Sequence, residues 1–436
     1  MSGMLLLKNW FKAQSWSDIL TNKCMNKKAE LLLSSVLEAL NKCLPEKVLK
    51  VSSDDEPWYT PALKKLDRKR RREYSKNRKS PKYLRLSRLY QEKLFKEKKK
   101  YKKDMLDDIK SSQPGEWYSK LKRITKLDQG KLEVYNVEEI SNLNDQKQAE
   151  LISDHHAKIS NCYEGVKLED IDIPPFSAKD IPQFTPIQIE SYIQRLKTKK
   201  STPPGDIPSK IIKEFSKYLS IPLSNIINSS LSQGTWPDCY KKEVITPIPK
   251  ERPVLLMSML RPISSLLSFN KVQEMVIVDM VVSDMTKNLD PTQYGNRKAT
   301  SIQHYLVRKL RRILSQTDGI TKGETRAVLC TLIDWQKAYS RQSHIPGVRS
   351  FSANGVCPSL LSLLTSYFMS REMRIKWHGK LSKPQPMPGS GAMGSSLGNW
   401  EFDSQTNNNA DCVPEQDRYK FIDDLTVLEI VSLIKI

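Results

Sequence analysis

Two adjacent carboxylates, Asp423 and Asp424, lie between two short runs, 419–421 and 425–428. Both runs are rich in strand-favouring residues, so the pattern predicts a β-hairpin with the acidic pair at or beside its turn. Asp-Asp in a turn is ordinarily turn chemistry. The two anions nevertheless repel each other, and a divalent cation would relieve that repulsion. A third carboxylate, Asp334, ends the apolar run 327–333. Such a run reads as a strand buried on both faces, and a carboxylate at its mouth needs a cation or hydrogen bonds. Upstream, Lys250 ends the run 244–249 and Arg261 lies in 260–264. Two cations on neighbouring strands suit a phosphate clamp, the ordinary alternative being two surface cations. Residues 388–398 hold four glycines, Gly389 and Gly391 among them, which allow close backbone approach. The Gly-Lys-Ser/Thr of a phosphate loop does not follow.

Positioning these groups requires a folded body, and composition sets its limits. The 436 residues carry a net charge of +22, which favours a polyanionic partner. No apolar run approaches the length of a membrane span. The seven cysteines form no Cys-x-x-Cys pair, so neither a zinc site nor a disulfide framework is supported, and a reducing compartment, nucleus or cytoplasm, is the default.

The early chain reads as helical and basic. Residues 1–56 show one apolar stripe, from Ala29 to Leu40, too little for a domain and suited to the tail of a preceding one. Residues 64–103 hold 20 Lys/Arg and 4 Asp/Glu, a net +16. Tyr83, Leu86, Tyr90, Leu94 and Tyr101 fall on one stripe there, giving a long basic helix with an aromatic face. Its charges lack enough acidic partners for i,i+4 pairing, so phosphate contact is favoured over a merely solvated face. Arg68, Lys69, Arg70, Arg71 and Arg72 form its densest patch, suited to nucleic acid or to nuclear import. Pro114-Gly115 breaks this helix, a second spans 145–160, and a Pro-rich linker runs through Pro174, Pro175 and Pro182. His155 and His156 are adjacent and cannot share a helix face as metal ligands.

From Thr185 the texture becomes that of a folded domain. Thr185-Pro186 starts a helix over 186–199. Helices over 208–217 and 219–233 follow. The stretch 244–250 reads as an edge strand, because its prolines exclude a central one. After the 260–264 strand, helices over 270–287, 300–315 and 358–370 and a short strand, 374–377, complete the pattern. The fold class is α+β.

The order of these parts resembles the reverse transcriptases of LINE-type (non-LTR) retrotransposons. Thr202 to Pro208 resembles the family's S-x-G-x-D-x-I-P element. Gly234-x-Trp236-Pro237 with 244–250 resembles G-x-x-P…V-x-P-I-x-K. Leu260 to Leu267 resembles Y-R-P-I-S-L-L, and Gln293-Tyr294-Gly295-x-Arg297 resembles Q-x-G-F-R. Asp334-x-x-Lys337-Ala338-Tyr339 resembles D-x-x-K-A-F, and Phe421-x-Asp423-Asp424 resembles F-A-D-D. These span roughly 185–436, and residues 57–118 resemble the linker that follows the endonuclease in such elements. The resemblance implies polymerase fingers and an antiparallel palm sheet behind a basic helical extension. The implied division is 1–56, a 57–184 linker and 185–436.

The resemblance further implies RNA-directed DNA polymerisation with template RNA, primer DNA and dNTP as partners. Asp334, Asp423 and Asp424 would hold two Mg²⁺ ions. Lys250 and Arg261 would hold the triphosphate, with Arg297 on nucleic acid. Tyr339 would gate against the ribose 2′-hydroxyl, and Phe421 would pack near the primer end. Gly389 and Gly391 would line the loop beneath template and nucleotide. Three departures stand out. Gly389-Ser390-Gly391 replaces the family's Gln-Gly-Ser, Ser340 replaces a second Asp, and Ile422 replaces a smaller residue. The chain also ends soon after Asp424, before the primer grip and thumb, so weak polymerisation or none is expected of it. The alternative is a non-catalytic nucleic-acid-binding remnant acting through 64–103; a peripheral membrane role ranks last.

Overall fold

The computed structural model describes residues 3–45, 56, 58–110, 117, 136–177, 181–198, 202–318 and 325–433, with 325 and 433 described by backbone alone. Pro57, the Pro114-Gly115 break and residue 199 of the helix expected over 186–199 lie outside them; that helix closes earlier, at Arg195. The chain divides into two compact units, one of 1–45 with 136–436 and one of 46–135. No described helix is long and apolar enough to cross a membrane.

The larger unit is α+β. Its first sheet has the order β2-β1-β4-β5, built from β1 (Lys242–Pro249), β2 (Leu260–Ser265), β4 (Glu372–Trp377) and β5 (Lys380–Leu381), with β6 (Gln385–Pro386) also on β4. The edge placement expected for β1 holds for only half of it. Residues 242–245 pair in parallel with β4 while 244–249 pair antiparallel with β2, so the first half is central. Pro247 and Pro249 fall where β1 has one neighbour, and there the missing N–H groups cost no ladder bond.

The second sheet, β3-β8-β7, is antiparallel throughout, with β3 (Thr325–Asp334), β7 (Arg418–Phe421) and β8 (Asp424–Leu433). Here the structure corrects the sequence reading. β3 is not buried on both faces: Leu329 is 54% exposed and Leu332 72%. Among the described residues β3 has β8 on one side and no strand on the other. An apolar run reports strand propensity, but it cannot report whether a covering layer is present.

The main core is helical. Ser268–Met285, Ser216–Gln233 and Pro358–Phe368 supply Phe269, Val276, Leu223, Ile227, Leu360 and Leu364, all nearly inaccessible to solvent. Thr185 caps its helix as expected, in a reciprocal capping box with Gln188. The N-terminal helices join this core rather than forming a separate tail. Leu7, Phe11, Leu32 and Val36 belong to the same cluster, and the Phe11 ring stacks on Phe215 at 4.4 Å. Residues 136–177 also belong to the body and not to a linker. The helix Asp145–Ser160 lies on β4, where Trp377 Nε1 donates to Gln148 Oε1 at 2.7 Å.

A buried acid fixes the helix that follows the glycine-rich loop. Glu274 Oε1 accepts from Tyr367 Oη at 2.6 Å and Ser395 Oγ at 3.1 Å, and its Oε2 accepts from Ser396 N. Ser395 in turn caps Ser396–Gln405 through Gly398 N. The sequence reading of 388–398 as a flexible glycine-rich stretch does not predict that a helix starts at Ser396.

The smaller unit is a helical hairpin, Pro61–Lys76 and Pro81–Lys110, not one long helix. Asn77 to Ser80 make the turn, and Ser80 Oγ accepts from Tyr83 N at the second helix start. The expected aromatic face is the seam between the helices: Tyr74 meets Tyr83, Trp58 meets Tyr101, and the Arg70 guanidinium lies over the Tyr90 ring.

Candidate active site

The hairpin forms where expected. β7 and β8 are joined by Ile422 and Asp423, and Asp424 opens β8. The register pairs Asp334 with Asp424 and Phe421 with Asp424, so Asp334, Phe421 and Asp424 share one sheet face. Burial first, then the charges of Asp423 and Asp334, push the Asp424 carboxyl up, with Lys309 acting in the opposite direction. Asp334 itself is exposed. A cation at this end of the sheet would offset both the burial and the repulsion that raise Asp424. Oxygen donors of this kind fit a hard divalent cation such as Mg²⁺. Among the described residues no three acidic, His or Cys side chains already converge as a ligand shell. The donor set fits a hard divalent cation in its chemistry.

The turn is held by the Gln293-Tyr294-Gly295 stretch, in a way that its motif does not foretell. Ile422 has φ +58°, a conformation costly for a β-branched residue. Gln293 grips it at both ends: Ile422 N donates to Gln293 Oε1 at 3.0 Å, and Gln293 Nε2 donates to Ile422 O at 3.3 Å. Gln293 Oε1 also accepts from Gly295 N at 2.8 Å. A Cβ on Gly295 would stand 2.5 Å from Ile422 N, so only glycine admits the hairpin here. Backbone bonds continue the clamp, with Tyr294 N donating to Lys420 O and Lys420 N to Thr292 O, each at 2.9 Å. Lys420 Nζ, buried, pairs with Asp290 at 2.6 Å. The resemblance identified Gln293-Tyr294-Gly295 as a motif; packing shows that it fastens the acidic turn.

Arg297 turns out differently from the expected nucleic-acid contact. Its Nη1 donates to Asp290 O at 2.8 Å and Gln293 O at 3.4 Å, bracing the same loop.

Lys250 and Arg261 come together at one end of the first sheet. The register sets Arg261 opposite Ile248 at the exposed end of β1, and Lys250 N continues the ladder to Met259 O. Lys250 and Arg261 thus project from the same face. Both are exposed, and no carboxylate of the described residues pairs with either. Two further cations join them. Lys337, at φ +57°, reverses the chain after Asp334. Burial first, then the charges of Arg341 and Lys250, lower its ammonium pKa.

Tyr339 follows Lys337 on the same turn and feels the charge of Asp423. Burial, then the carboxylates of Asp403 and Asp423, raise its hydroxyl pKa. Its ring packs on Phe402 at 5.2 Å between centroids. The glycine-rich loop closes against the same turn: Gly391 N donates to Tyr339 O and Ser390 N to Gln342 O, both at 2.7 Å. A Cβ on Gly391 would collide with Gln342 Oε1, and one on Gly389 would meet the Tyr163 ring at 2.6 Å. These glycines therefore serve close packing of the loop on the Tyr339 turn. Gln342 is 3% exposed with neither amide atom partnered among the described residues. Phe421, half-buried, lies 5.9 Å from the Tyr305 ring, behind the hairpin.

The basic patch divides in the smaller unit. Arg70 Nη2 and Arg71 Nε reach Asp67 at 2.6 and 2.8 Å, and Tyr59 Oη donates to the same carboxylate. Burial alone would raise the Asp67 pKa, but hydrogen bonds from Arg70 and Tyr59 and the two arginine charges hold it below its ordinary value. Arg68, Lys69 and Arg72 remain exposed, with no carboxylate partner among the described residues. Arg70 belongs to the hairpin's own structure.

No protein-family model matches the chain.

Proposed function

We propose that the larger unit is an RNA-directed DNA polymerase domain of the non-LTR retrotransposon kind, transferring a nucleotide to a primer 3′-hydroxyl. The single observation that supports it most is Asp334 standing across the strand pair from Asp424, with Asp423 in a turn that Gln293 holds in a strained conformation. Strain maintained by dedicated contacts at an anionic pair has no evident value to the fold and suits a metal site. Asp334, Asp423 and Asp424 would hold Mg²⁺, which when bound lowers the pKa of the primer hydroxyl and offsets triphosphate charge. Lys250, Arg261, Lys337 and Arg341 would receive the triphosphate. Tyr339 would face the sugar of the bound nucleotide. Template RNA and primer DNA are the implied partners, and nucleus or cytoplasm the implied setting.

The test is single-turnover addition of one dNTP to a DNA primer annealed to RNA, with protein in excess and Mg²⁺ present. Slow addition by the wild-type chain, abolished in Asp423→Ala, is expected. Addition that persists in Asp423→Ala would refute the assignment.

A second reading rests on its own observation, the exposed Arg68, Lys69 and Arg72 of the smaller unit. Here the chain binds nucleic acid without copying it. Salt-dependent RNA binding in a wild type that adds no nucleotide would favour this reading.

A further inference from the structure

β3 leaves one border of its sheet open. Among the described residues it pairs with β8 along its whole length and has no strand on its other side. At the opposite border the edge of β7 is taken, because Tyr294 N donates to Lys420 O and Lys420 N to Thr292 O. β3 is exposed from Arg326 to Asp334 apart from the half-buried Val328. Such an edge presents backbone donors and acceptors to an incoming strand. Proline and lysine, which commonly blunt open edges, are absent from Thr325–Asp334, while Leu329, Leu332 and Ile333 stand exposed along it.

The helix beside it is bare on the same side. In Ile302–Thr317, Tyr305 turns to the sheet, where its hydroxyl shares a hydrogen bond with Thr426 of β8 at 2.6 Å. His304, Arg308 and Arg311 line a cleft with Gln416 and Tyr419, on the β7 side. Ile302, Leu306 and Leu310, at four-residue steps, fall on the opposite flank and are all exposed. That flank is the one toward β3: Ile313 beside it packs, as does Val328 of β3, on the small cluster around Tyr305 and Leu428. An open strand edge and an uncovered apolar helix flank therefore lie together.

Symmetry restricts how a second copy can pair here. Directly opposite residues of an antiparallel pair share one sheet face, so two identical strands related by a two-fold axis must pair about a residue and not between two. Centring on Leu329 pairs 325–333 and centring on Cys330 pairs 326–334, nine residues in each case. The first sets Arg326 against Leu332. The second sets Arg326 of each copy against Asp334 of the other, Leu332 against Val328 and Ile333 against Ala327, so that opposite charges meet at both ends of an apolar middle. We propose that two copies of the chain dimerise through β3, antiparallel and centred on Cys330, joining their sheets in the order β7-β8-β3-β3-β8-β7. The partner is a second copy because the edge is complementary to itself in charge as well as in shape. Arg326 of the second copy and a bound cation would compete for Asp334, and the inference does not rest on the polymerase reading.

The experiment is sedimentation equilibrium of the nuclease-treated full chain in EDTA across the micromolar range, with bis-maleimide cross-linking as a second readout. Cys330 is exposed, and directly opposed Cβ atoms stand about 5 Å apart, so a short bis-maleimide should link two wild-type chains. Cys330→Ser should lose that product, the remaining cysteines giving the background. Arg326→Glu and Asp334→Lys, both at exposed positions, should each weaken the dimer about tenfold, because the like-charge contact they create occurs twice per dimer. Combining the two reversals should restore most of the wild-type affinity. A wild type that stays monomeric would overturn the inference, whatever covers the edge in its place. A dimer that keeps its Kd in both reversals, or that cross-links equally well in Cys330→Ser, would overturn it too, since another surface would then hold the copies together. A double variant as weak as the single ones would overturn the register, and open-ended assemblies would overturn the closed pairing.

Discussion

Replacing Gln293 by alanine removes three hydrogen bonds at once, those at 2.8, 3.0 and 3.3 Å to Gly295 N, Ile422 N and Ile422 O. A typical bond contributes about 1 kcal/mol net, so the local loss is about 3 kcal/mol. Ile422 sits at φ +58°, which costs a further ~1–2 kcal/mol in any L-residue other than glycine. With the clamp gone, nothing in the Gln293 side chain opposes relaxation of that strain. Opening of the 421–424 turn should then become easier by about 3 kcal/mol, which raises hydrogen exchange at the Ile422 amide by on the order of a hundredfold. Amide exchange of this peptide, in wild type and Gln293→Ala, is the assay. Adding Ile422→Gly to Gln293→Ala should restore about 1 kcal/mol of protection, because glycine adopts this conformation freely. Unchanged exchange at Ile422 in Gln293→Ala would refute the clamp, and no recovery with glycine would refute the strain.

Two further outcomes follow from buried charges. Asp67→Ala strips Arg70 and Arg71 of their shared partner and should lower the stability of the helical hairpin by about 2–3 kcal/mol. Far-UV circular dichroism melting checks this, and an unshifted hairpin transition would contradict it. His156 is 8% exposed, and burial, then the charges of His155 and Lys337, lower its pKa to about 4. Its folded value lies below the ordinary 6.5, so the stability it contributes is present above pH 6.5 and is lost as pH falls toward 4. The limit of that loss is about 3 kcal/mol. Urea unfolding between pH 4 and 7 should show a smaller acid loss in His156→Gln than in wild type; parallel curves would contradict the assignment.

The acidic hairpin, its strand-end partner Asp334 and the helix cap at Thr185 were legible because each rests on local rules: propensity, alternation and capping. What the sequence hid was tertiary. Gln293 lies far from Ile422 along the chain, and no periodicity links a glutamine to a turn it will grip. Asp403 falls on a helix whose first residues looked like a glycine-rich loop; the deciding contact, Glu274 with Ser395 and Ser396, joins segments distant in sequence. The 64–103 block reads as one helix because its charge runs on unbroken, although the stripe begins only at Tyr83; Asn77 to Ser80 and Pro81 carry the turn. The N-terminal stripe was assigned to a missing neighbour because amphipathicity shows that a face is buried and not what buries it. β3 was misread for the converse reason: an apolar strand does not show whether anything covers it.

The central claim is that Asp334, Asp423 and Asp424 together bind a divalent cation. Titration with Mn²⁺ in place of Mg²⁺, following the electron paramagnetic resonance of the free ion, tests it most directly. The account predicts uptake by the wild-type chain that is lost in Asp334→Asn and in Asp423→Asn, with both variants folded by circular dichroism. Equal uptake by wild type and both variants, or no uptake by wild type at millimolar Mn²⁺, would contradict it.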